Sequence, residues 1–478
     1  PAPGGEARET DNMAISTITG LVETQQTPGA NDTILITDGG ALVFGDQAVL
    51  TSGDDVVVTN NGDLFGGIRS TGQGLTVTNN GVMSATDVNV VDVGFGGDAV
   101  SNLTLTNTGI IQSAGDTGPT IITQRGGNVI HNSGEIIGFE DTAILLFAAT
   151  TSVAGGDANR IVNTGTIVGG TFRSNSGALV QQASIQTSED QDVVINSGTL
   201  VGDVFLFFGD DIFDGRGGTV VGTVNGSFDD DLYIIDDASI QLEENENLGT
   251  DTVRTYVSYA LEDNFEILEL GGADDIDGTG NGLQNEIAGN DGNNRLSGGG
   301  SRDLIDGRGG DDVIDAGRGD DIVDGGEGDD IIAGRSGIDQ LNGGEGNDWI
   351  FGGLGADLID GGDGNDTLIG GQGADELTGG SGQDVFVFAR LSDSPNGVGD
   401  TITDFETGID AIDLSGLSGG GLDLSIGGSF TGNGPSARTF ENSFGDTVLR
   451  IDVDGDGSTD MRVDILGVQG LTLADFIL

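Results

Sequence analysis

Aspartates recur at intervals of nine residues through the second half of the chain. Twelve nonads run from Gly280 to Val387 without insertion or deletion, and the last ten carry Asp at the sixth place. Carboxylate oxygens at a fixed spacing are ligands for hard divalent cations. We therefore predict metal ligands at Asp303, Asp312, Asp321, Asp330, Asp339, Asp348, Asp357, Asp366, Asp375 and Asp384, and at Asn294, which holds the sixth place of an earlier nonad.

Glycine fills the first, second and fourth places of most nonads, and the eighth place is always apolar. The pattern G-G-x-G-x-D predicts a turn that exposes backbone carbonyls, and x-U-x predicts a minimal strand with one inward aliphatic side chain. Stacked turns would bring carbonyls and carboxylates together, as calcium requires with its 6–8 oxygens at about 2.3–2.6 Å. The glycines predicted as further ligands are Gly310, Gly319, Gly328, Gly346, Gly355, Gly364 and Gly373.

The nonads bury too little apolar surface to fold without help. One aliphatic side chain per nine residues cannot offset a backbone entropy cost of about 1–2 kcal/mol per residue. The sequence therefore predicts that several Ca²⁺ ions bind and that their binding is coupled to folding.

Other acidic turns offer weaker candidates. Asp452, Asp454 and Asp456, followed by Asp460, match the first part of an EF-hand loop, but Val463 stands where the twelfth-place acid is expected. A plain polar hairpin turn is the alternative. Segments 209–218 and 228–236 read as degenerate nonads, in which Asp211 and Asp231 could hold extra ions or simply form polar turns.

The first half repeats a different pattern, apolar-x-Asn-x-Gly-x-apolar. Its units predict a parallel β-solenoid in which Asn stacks on Asn and aliphatic on aliphatic, with Gly chosen for positive φ. A β-sandwich with Asn-Gly turns is the alternative. The repeated residues are Asn60, Asn79, Asn107, Asn132, Asn163 and Asn196, each followed two residues later by Gly, with Asp38 in place of Asn in an earlier copy.

Composition limits the classes of function. The chain of 478 residues has a formal charge of −63, no Cys, no Lys and one His, so nucleic acid and anionic lipid are poor partners and nucleophile–base pairs are nearly excluded. No apolar run approaches the ~20 residues of a membrane span. His131 adjoins a repeated Asn, which favours a turn role. We predict no catalytic residues and no organic cofactor; Arg69, Arg125, Arg160 and Arg173 are expected at the surface.

The nonads resemble the RTX family of Gram-negative bacteria, whose nonapeptides form calcium-bound β-rolls. Residues 399–417, 447–468 and 471–478 resemble the C-terminal domain of serralysin-type proteins. This resemblance implies a cap on the roll, an uncleaved type I secretion signal at Asp475–Leu478, and export through the type I secretion machinery to the outside of the cell. No HExxH motif is present, so the resemblance does not extend to proteolysis. The first half resembles the right-handed β-helices of bacterial adhesins and polysaccharide-acting enzymes.

Together these patterns predict an all-β chain that is secreted or held at the cell surface. The predicted parts are a leader or cap at 1–30, a parallel β-helix at 31–205, a connector at 206–279, a β-roll at 280–388, and a C-terminal cap at 389–478. We expect a calcium-dependent structural protein of the matrix, surface layer, filament or adhesin type that associates with itself. The alternatives are a glycan-binding or glycan-modifying protein of epimerase or lyase type, and a calcium-buffering passenger.

Overall fold

The computed structural model is an all-β protein with two compact units, Pro1–Asp251 and Thr252–Leu478, and the predicted fold class is confirmed. The boundary between them falls inside the predicted connector. No helix in the described part of the chain is long and apolar enough to cross a bilayer. The structure describes residues 15–19, 21–22, 26, 28, 32–51, 54–72, 74–86, 88–94, 102–115, 118–124, 126–146, 158–174, 176, 178–187, 191–246, 248–397, 399–417, 422–426, 428, 430 and 434–478.

The first unit is a parallel solenoid in which each coil contributes one strand to a first sheet. Along these strands buried and partly exposed residues alternate, so that Val58 and Asn60 point inward. The strands continue into the predicted connector. They are Ile15–Ile18, Thr33–Ile36, Val57–Asn60, Leu75–Asn79, Leu103–Asn107, Val129–Asn132, Arg160–Asn163, Val193–Asn196, Ile212–Asp214 and Leu232–Ile235.

A second sheet completes each coil of this unit, usually with two short strands. An antiparallel hairpin, Thr171–Arg173 with Leu179–Gln181, leaves the coil between two of these strands. The second-sheet strands are Leu21–Val22, Ala41–Thr51, Asp63–Ser70, Val82–Ala85, Val91–Val93, Ile110–Ser113, Ile121–Thr123, Glu135–Ile137, Ile144–Leu146, Thr166–Val168, Ile185–Gln186, Thr199–Val201, Val204–Phe207, Thr219–Val221, Thr223–Ser227 and Gln241–Glu243.

The predicted asparagine ladder is confirmed in the first unit. Each side-chain amide donates a hydrogen bond of 2.8 Å to the amide oxygen of the corresponding Asn on the next coil, beginning at Asn60 and ending at Asn196. All of these side chains are buried. The ladder therefore satisfies polar groups inside the core without any charge.

The glycines beside this ladder are required for close approach and not for positive φ, which corrects the expectation from sequence. None of Gly62, Gly81, Gly109, Gly134 and Gly165 has a positive φ. An added Cβ would instead lie 2.0–2.1 Å from the carbonyl oxygen of the equivalent glycine one coil earlier. The column of glycines thus lets successive turns stack directly on one another.

Gly134→Ala tests this close approach. Its Cβ would lie 2.0 Å from the Gly109 carbonyl oxygen, and both atoms belong to backbone that strands hold in place. We expect the first unit to lose roughly 3 kcal/mol of stability, as overpacked sites do. Calorimetry in saturating calcium should show its transition at a lower temperature, whereas Glu135→Ala, at an exposed neighbour, should leave it unchanged. Equal melting of the two variants would refute the packing argument.

The second unit is a two-sheet roll in which successive nonads alternate between the sheets. Parallel pairing joins each residue to the one 18 positions later, for example Ile332 to Ile350, so two nonads make one coil. One sheet contains Thr252–Thr255, Ile267–Leu270, Glu286–Ala288, Leu304–Asp306, Ile322–Glu327, Gln340–Glu345, Leu358–Asp363, Glu376–Ser381 and Asp400–Ile402. The other contains Tyr259–Ala260, Gly278–Thr279, Arg295–Gly300, Val313–Arg318, Ile331–Ser336, Trp349–Leu354, Thr367–Gln372, Val385–Val387, Ala411–Asp413 and Phe476–Ile477.

The eighth-place side chains form the core of this roll, as the sequence predicts. All are at most 2% exposed. They are Ile287, Leu296, Ile305, Ile314, Val323, Ile332, Leu341, Ile350, Ile359, Leu368, Leu377 and Phe386.

The end of the chain packs onto the last coils. Three antiparallel strands, Ser436–Glu441, Thr447–Asp452 and Met461–Ile465, continue one sheet, with Asp423–Ile426 beside the first of them. A 3-10 turn at Leu473–Asp475 precedes the last strand. Asp475 is buried and accepts a 2.7 Å hydrogen bond from the Gly408 backbone N–H. In the folded chain, the predicted secretion signal is thus part of the roll. Most of the predicted leader at 1–30 lies outside the described residues.

Candidate metal centres

The sixth-place residues of the nonads form two hydrogen-bonded ladders along the roll. In each ladder the backbone N–H of one aspartate donates to Oδ1 of the aspartate one coil later, over 2.7–3.0 Å. One ladder contains Asn285, Asp303, Asp321, Asp339, Asp357, Asp375 and Asp400. The other contains Asn294, Asp312, Asp330, Asp348, Asp366, Asp384 and Asp410.

The second carboxylate oxygen of every nonad aspartate is buried and has no hydrogen-bond partner. These side chains are at most 2% exposed. A buried anionic oxygen without a partner is strongly unfavourable, so it fits a site that receives a cation. All ten predicted aspartates thus lie in two rows of equivalent positions, each with a buried carboxylate oxygen that a cation could satisfy.

Backbone carbonyls approach the same oxygens. A Cβ added at Gly325, in the first place of its nonad, would lie 2.4 Å from both Asp330 Oδ2 and the carbonyl oxygen of Gly343 on the next coil. The same pairing recurs at Gly307, Gly343 and Gly361. A carboxylate and a carbonyl from two coils therefore converge beside these four glycines. These first-place glycines are not among the ligands predicted from the sequence, because the G-G-x-G pattern does not distinguish among its three glycines.

The fourth-place glycines predicted as ligands have a second role in the turn. Gly310, Gly319, Gly328 and Gly346 adopt φ values between +102° and +140°, a region that favours glycine. A Cβ at Gly346 would lie 1.9 Å from the Gly328 carbonyl oxygen, so these carbonyls also form a stacked row. Gly355 and Gly364 share both features, while Gly373 shares the close approach.

Burial raises the pKa of the nonad carboxyl groups well above the usual value for aspartate. The pKa is about 7 for Asp303, Asp312, Asp330 and Asp339. It is about 6 for Asp348, Asp357, Asp366, Asp375 and Asp384. The ladder hydrogen bonds oppose this shift without cancelling it, so each site favours either a proton or a cation.

Each ladder begins with an asparagine, whose uncharged amide forms hydrogen bonds to protein atoms. Asn285 donates through Nδ2 to the Phe265 carbonyl oxygen over 3.0 Å, and Asn294 donates to that of Ile276 over 2.8 Å. The Oδ1 atom of Asn294 accepts the Asn290 backbone N–H. The amide of Asn294, predicted as a metal ligand, is thus bonded to protein atoms at both ends.

Asp400 and Asp410 extend the ladders beyond the nonads and were not predicted. Each accepts the backbone N–H of the preceding aspartate, over 3.0 and 3.1 Å. Asp400 Oδ2 is also buried without a partner, and burial raises the pKa of Asp400 to about 8. The signal that could have found both residues is the surviving pattern of Asp, any residue and Ile at 400–402 and 410–412.

The EF-hand-like loop brings together a different set of acids from the one predicted. Carboxylate oxygens of Asp452, Asp454 and Asp460 lie within 4.8 Å of one another, and Asp456 is not part of this group. Asp452 accepts the backbone N–H groups of Gly455 and Gly457 over 2.7 and 2.8 Å. These contacts are those of a polar hairpin turn, which leaves both interpretations of the loop standing.

The His and Arg residues singled out from the sequence of the first unit do not form a cluster among the described residues. His131 is exposed beside the buried Asn132. Arg69 pairs with buried Asp92 over 2.8 Å, Arg160 is exposed on a first-sheet strand, and Arg173 lies in the protruding hairpin. Arg125 lies outside the described residues.

Comparison with known proteins places the second unit in a recognised class of domain. Residues 283–478 match the family model described as the serralysin C-terminal domain of peptidase M10, so this region carries a serralysin-type domain with an RTX-like β-roll. Such domains are typical of secreted RTX proteins. A search of curated proteins found no match.

Two similar solved structures are subunits of the mannuronan C5-epimerase of Azotobacter vinelandii. The R3 subunit, AlgE6R3, is 32% identical and covers 29% of this chain and 77% of its own, with a TM-score of 0.24. The R2 subunit, AlgE6R2, is 27% identical and covers 30% of this chain and 89% of its own, with the same TM-score.

Proposed function

We propose that the protein is a secreted structural protein of the extracellular matrix or cell surface that folds on calcium binding and associates with itself. The observation that carries this proposal is the two rows of buried aspartate oxygens without partners. The nonad aspartates, the first-place carbonyls and the fourth-place carbonyls would hold the ions. Bound calcium would supply the positive charge that this part of the fold lacks.

Export by type I secretion agrees with this requirement. A chain whose roll cannot fold in low cytosolic calcium remains extended enough to be exported, and millimolar calcium outside then completes it. The serralysin-type domain at 283–478 supports the secreted location. Asp475 is buried after folding, so the terminal signal would have to be recognised before the roll forms.

A non-catalytic role is part of the proposal. With one His and neither Cys nor Lys, the chain has few of the groups that serve as nucleophiles and bases. The described strands repeat a few side-chain types in regular rows, which suits a scaffold.

Association between copies is supported by the outer face of the roll. Ile331, Trp349 and Leu354 expose 43%, 53% and 51% of their surface on neighbouring strands of one sheet. In a chain with a formal charge of −63, repulsion opposes contact between copies. Calcium would reduce that charge and allow these apolar faces to meet.

Sedimentation velocity of the full chain, titrated from chelator to millimolar calcium, tests the proposal. We expect a slowly sedimenting, expanded species to be replaced by compact chains and then by large assemblies. Compaction to a stable monomer at saturating calcium would retain calcium-coupled folding and remove self-association. No change in sedimentation would refute both.

A groove on the roll favours glycan binding as a second candidate function. The groove has a volume of about 750 Å³ and is lined by Phe351, Leu354, Arg335, Arg390 and Asp393, among others. An aromatic ring beside polar and charged groups suits a sugar chain, although Arg335 is already paired with Asp315 over 2.7 Å. Mannuronan, which appears in the name of the enzyme that contains the two similar subunits, is the first polymer to test for binding. A neutral glucan is the control. Binding that Arg390→Ala abolishes would favour this function over the structural one.

A further inference from the structure

Besides the asparagine ladder, the first unit contains a second ladder of buried side chains. It is formed by the same backbone-to-side-chain hydrogen bond as the nonad ladders. Each backbone N–H donates to the side-chain Oδ1 of the next member over 2.6–3.1 Å. The ladder changes from amide to carboxylate side chains along the chain. Its members are Asn128, Asn159, Asp192, Asp211, Asp231 and Asp251.

The two kinds of side chain leave the ladder in different states. Asn128 and Asn159 donate through Nδ2 to the next Oδ1 over 2.8 and 2.7 Å, so the amide part is closed. Asp211 and Asp231 have no such donor, and each keeps a buried Oδ2 without a hydrogen-bond partner. They are 1% and 2% exposed. The ladder therefore has buried carboxylate oxygens that a cation could satisfy at Asp211 and Asp231.

Two more carboxylates meet Asp231 at this point. Oxygens of Asp231, Glu244 and Asp251 lie within 4.8 Å of one another, and all three residues are buried. Glu244 is held in place, because Tyr233 Oη donates to its Oε1 and the Ser227 backbone N–H donates to its Oε2 over 2.9 Å. The Asp231 backbone N–H also donates to Asp251 Oδ1 over 2.9 Å, so hydrogen bonds hold Glu244 and Asp251 in place.

A glycine leaves room at the same point. A Cβ added at Gly226 would lie 1.9 Å from Asp231 Oδ2 and 2.5 Å from Glu244 Oε1. Two carboxylate oxygens thus converge on the space that a side chain would occupy, just as Asp330 and a carbonyl converge beside Gly325 in the roll. Asp231 and Asp251 follow the 20-residue spacing of this ladder, but Glu244 belongs to no repeat, so the sequence does not reveal the group.

We propose that Asp231, Glu244 and Asp251 bind one calcium ion in the first unit, outside the nonads. The three ligands are hard oxygen donors, and an ion at 2.3–2.6 Å from each can span oxygens up to 4.8 Å apart. The ion would satisfy Asp231 Oδ2 and balance two of the three negative charges. Magnesium fits less well, because it retains several waters and a buried site offers them little space.

Hydrogen exchange of the full-length chain tests this site locally. Asp231→Asn is the decisive variant, because Oδ1 keeps its bond to Asp211 and the replaced Oδ2 has no protein partner to lose. Asp230→Asn is the matched control: Asp230 is exposed, and its Oδ1 accepts the Thr250 backbone N–H over 2.8 Å. Exchange is followed by mass spectrometry in chelator, in 1 mM calcium and in 1 mM magnesium.

Calcium should slow exchange of peptides covering 223–235 and 241–251 by about tenfold in the wild type and in Asp230→Asn. In Asp231→Asn it should leave these peptides unchanged while still protecting peptides 304–381. Equal calcium protection of 223–251 in both variants would overturn the site, and equal protection by magnesium would overturn its assignment to calcium. If calcium failed to protect peptides 304–381 in the wild type, the result would instead count against the proposed function.

A second pair guards against a folding defect in Asp231→Asn. Glu244→Gln removes a ligand charge, and Glu243→Gln removes the same charge from the preceding residue, which is exposed and ends the strand Gln241–Glu243. Only Glu244→Gln should abolish the calcium response of 223–251. A response that survives in Glu244→Gln would overturn the proposal.

Discussion

Chelation of calcium at neutral pH should unfold the roll at 280–388, and millimolar calcium should restore it. The roll buries one apolar side chain per nonad and, in the last ten nonads, one carboxylate whose Oδ2 has no partner. Without an ion, the like charges of neighbouring coils repel inside a fold that has little apolar surface to hold it. Circular dichroism and hydrogen exchange at 304–381 measure this transition, and full protection of these peptides in chelator would contradict it.

Asp330→Asn should raise the calcium concentration at the folding midpoint by roughly tenfold or more, since even outer-shell partners of a metal contribute about 10–100-fold. Asp330 Oδ1 accepts the Asp312 backbone N–H over 2.7 Å, and Asn can keep that bond while removing the charged oxygen. Asp329→Asn is the matched control, because exposed Asp329 also accepts a backbone N–H, from Asn347 over 2.8 Å. Equal midpoints for the two variants would show that Asp330 is not a ligand.

In the absence of metal, low pH should fold the roll, as calcium does at neutral pH. Burial raises the pKa of nine nonad aspartates from 3.8 to about 6 or 7 in the folded chain. A group with a raised folded pKa stabilises the fold fully below its unfolded pKa and loses that contribution as pH rises through the folded pKa. The metal-free roll should therefore be folded near pH 4 and unfold between about pH 6 and 7.

Calcium supplies the control for this pH experiment. With saturating calcium, the carboxylates exchange protons for ions as the pH rises, so the far-ultraviolet strand signal should persist through pH 7. The same signal without metal should disappear over that interval. A metal-free chain that is equally folded at pH 4 and at neutral pH would show that burial of these carboxylates does not control folding.

The parts of the fold that the sequence predicts are those fixed by strict spacing. The nine-residue period places every eighth-place side chain in the core and every sixth-place aspartate in a ladder, because each turn repeats the backbone of the one before. Asn60 and its equivalents recur at intervals of 19 to 33 residues, and their ladder is predicted by the repeated pattern apolar-x-Asn-x-Gly-x-apolar without a fixed period. The alternation of nonads between two sheets is a pairing choice that a nine-residue pattern does not specify.

Other features depend on contacts between distant residues and were not predicted from the sequence. The glycines beside the asparagine ladder look like turn glycines, but the approach of the preceding carbonyl explains them. Asp400 and Asp410 follow irregular loops that interrupt the count, although their local pattern survives. The group of Asp231, Glu244 and Asp251 includes Glu244, which belongs to no sequence repeat, so periodicity alone does not predict the group.

The 18-residue coil places a parity rule on how this protein can change in length during evolution. Losing two nonads removes one coil and leaves every later strand in its own sheet. Losing one nonad would move all later strands to the opposite sheet. Asp400–Ile402 would then have to lie in the sheet that now contains Ala411–Asp413. Related rolls should therefore differ by even numbers of nonads, and gene duplication should be retained only in steps of one whole coil.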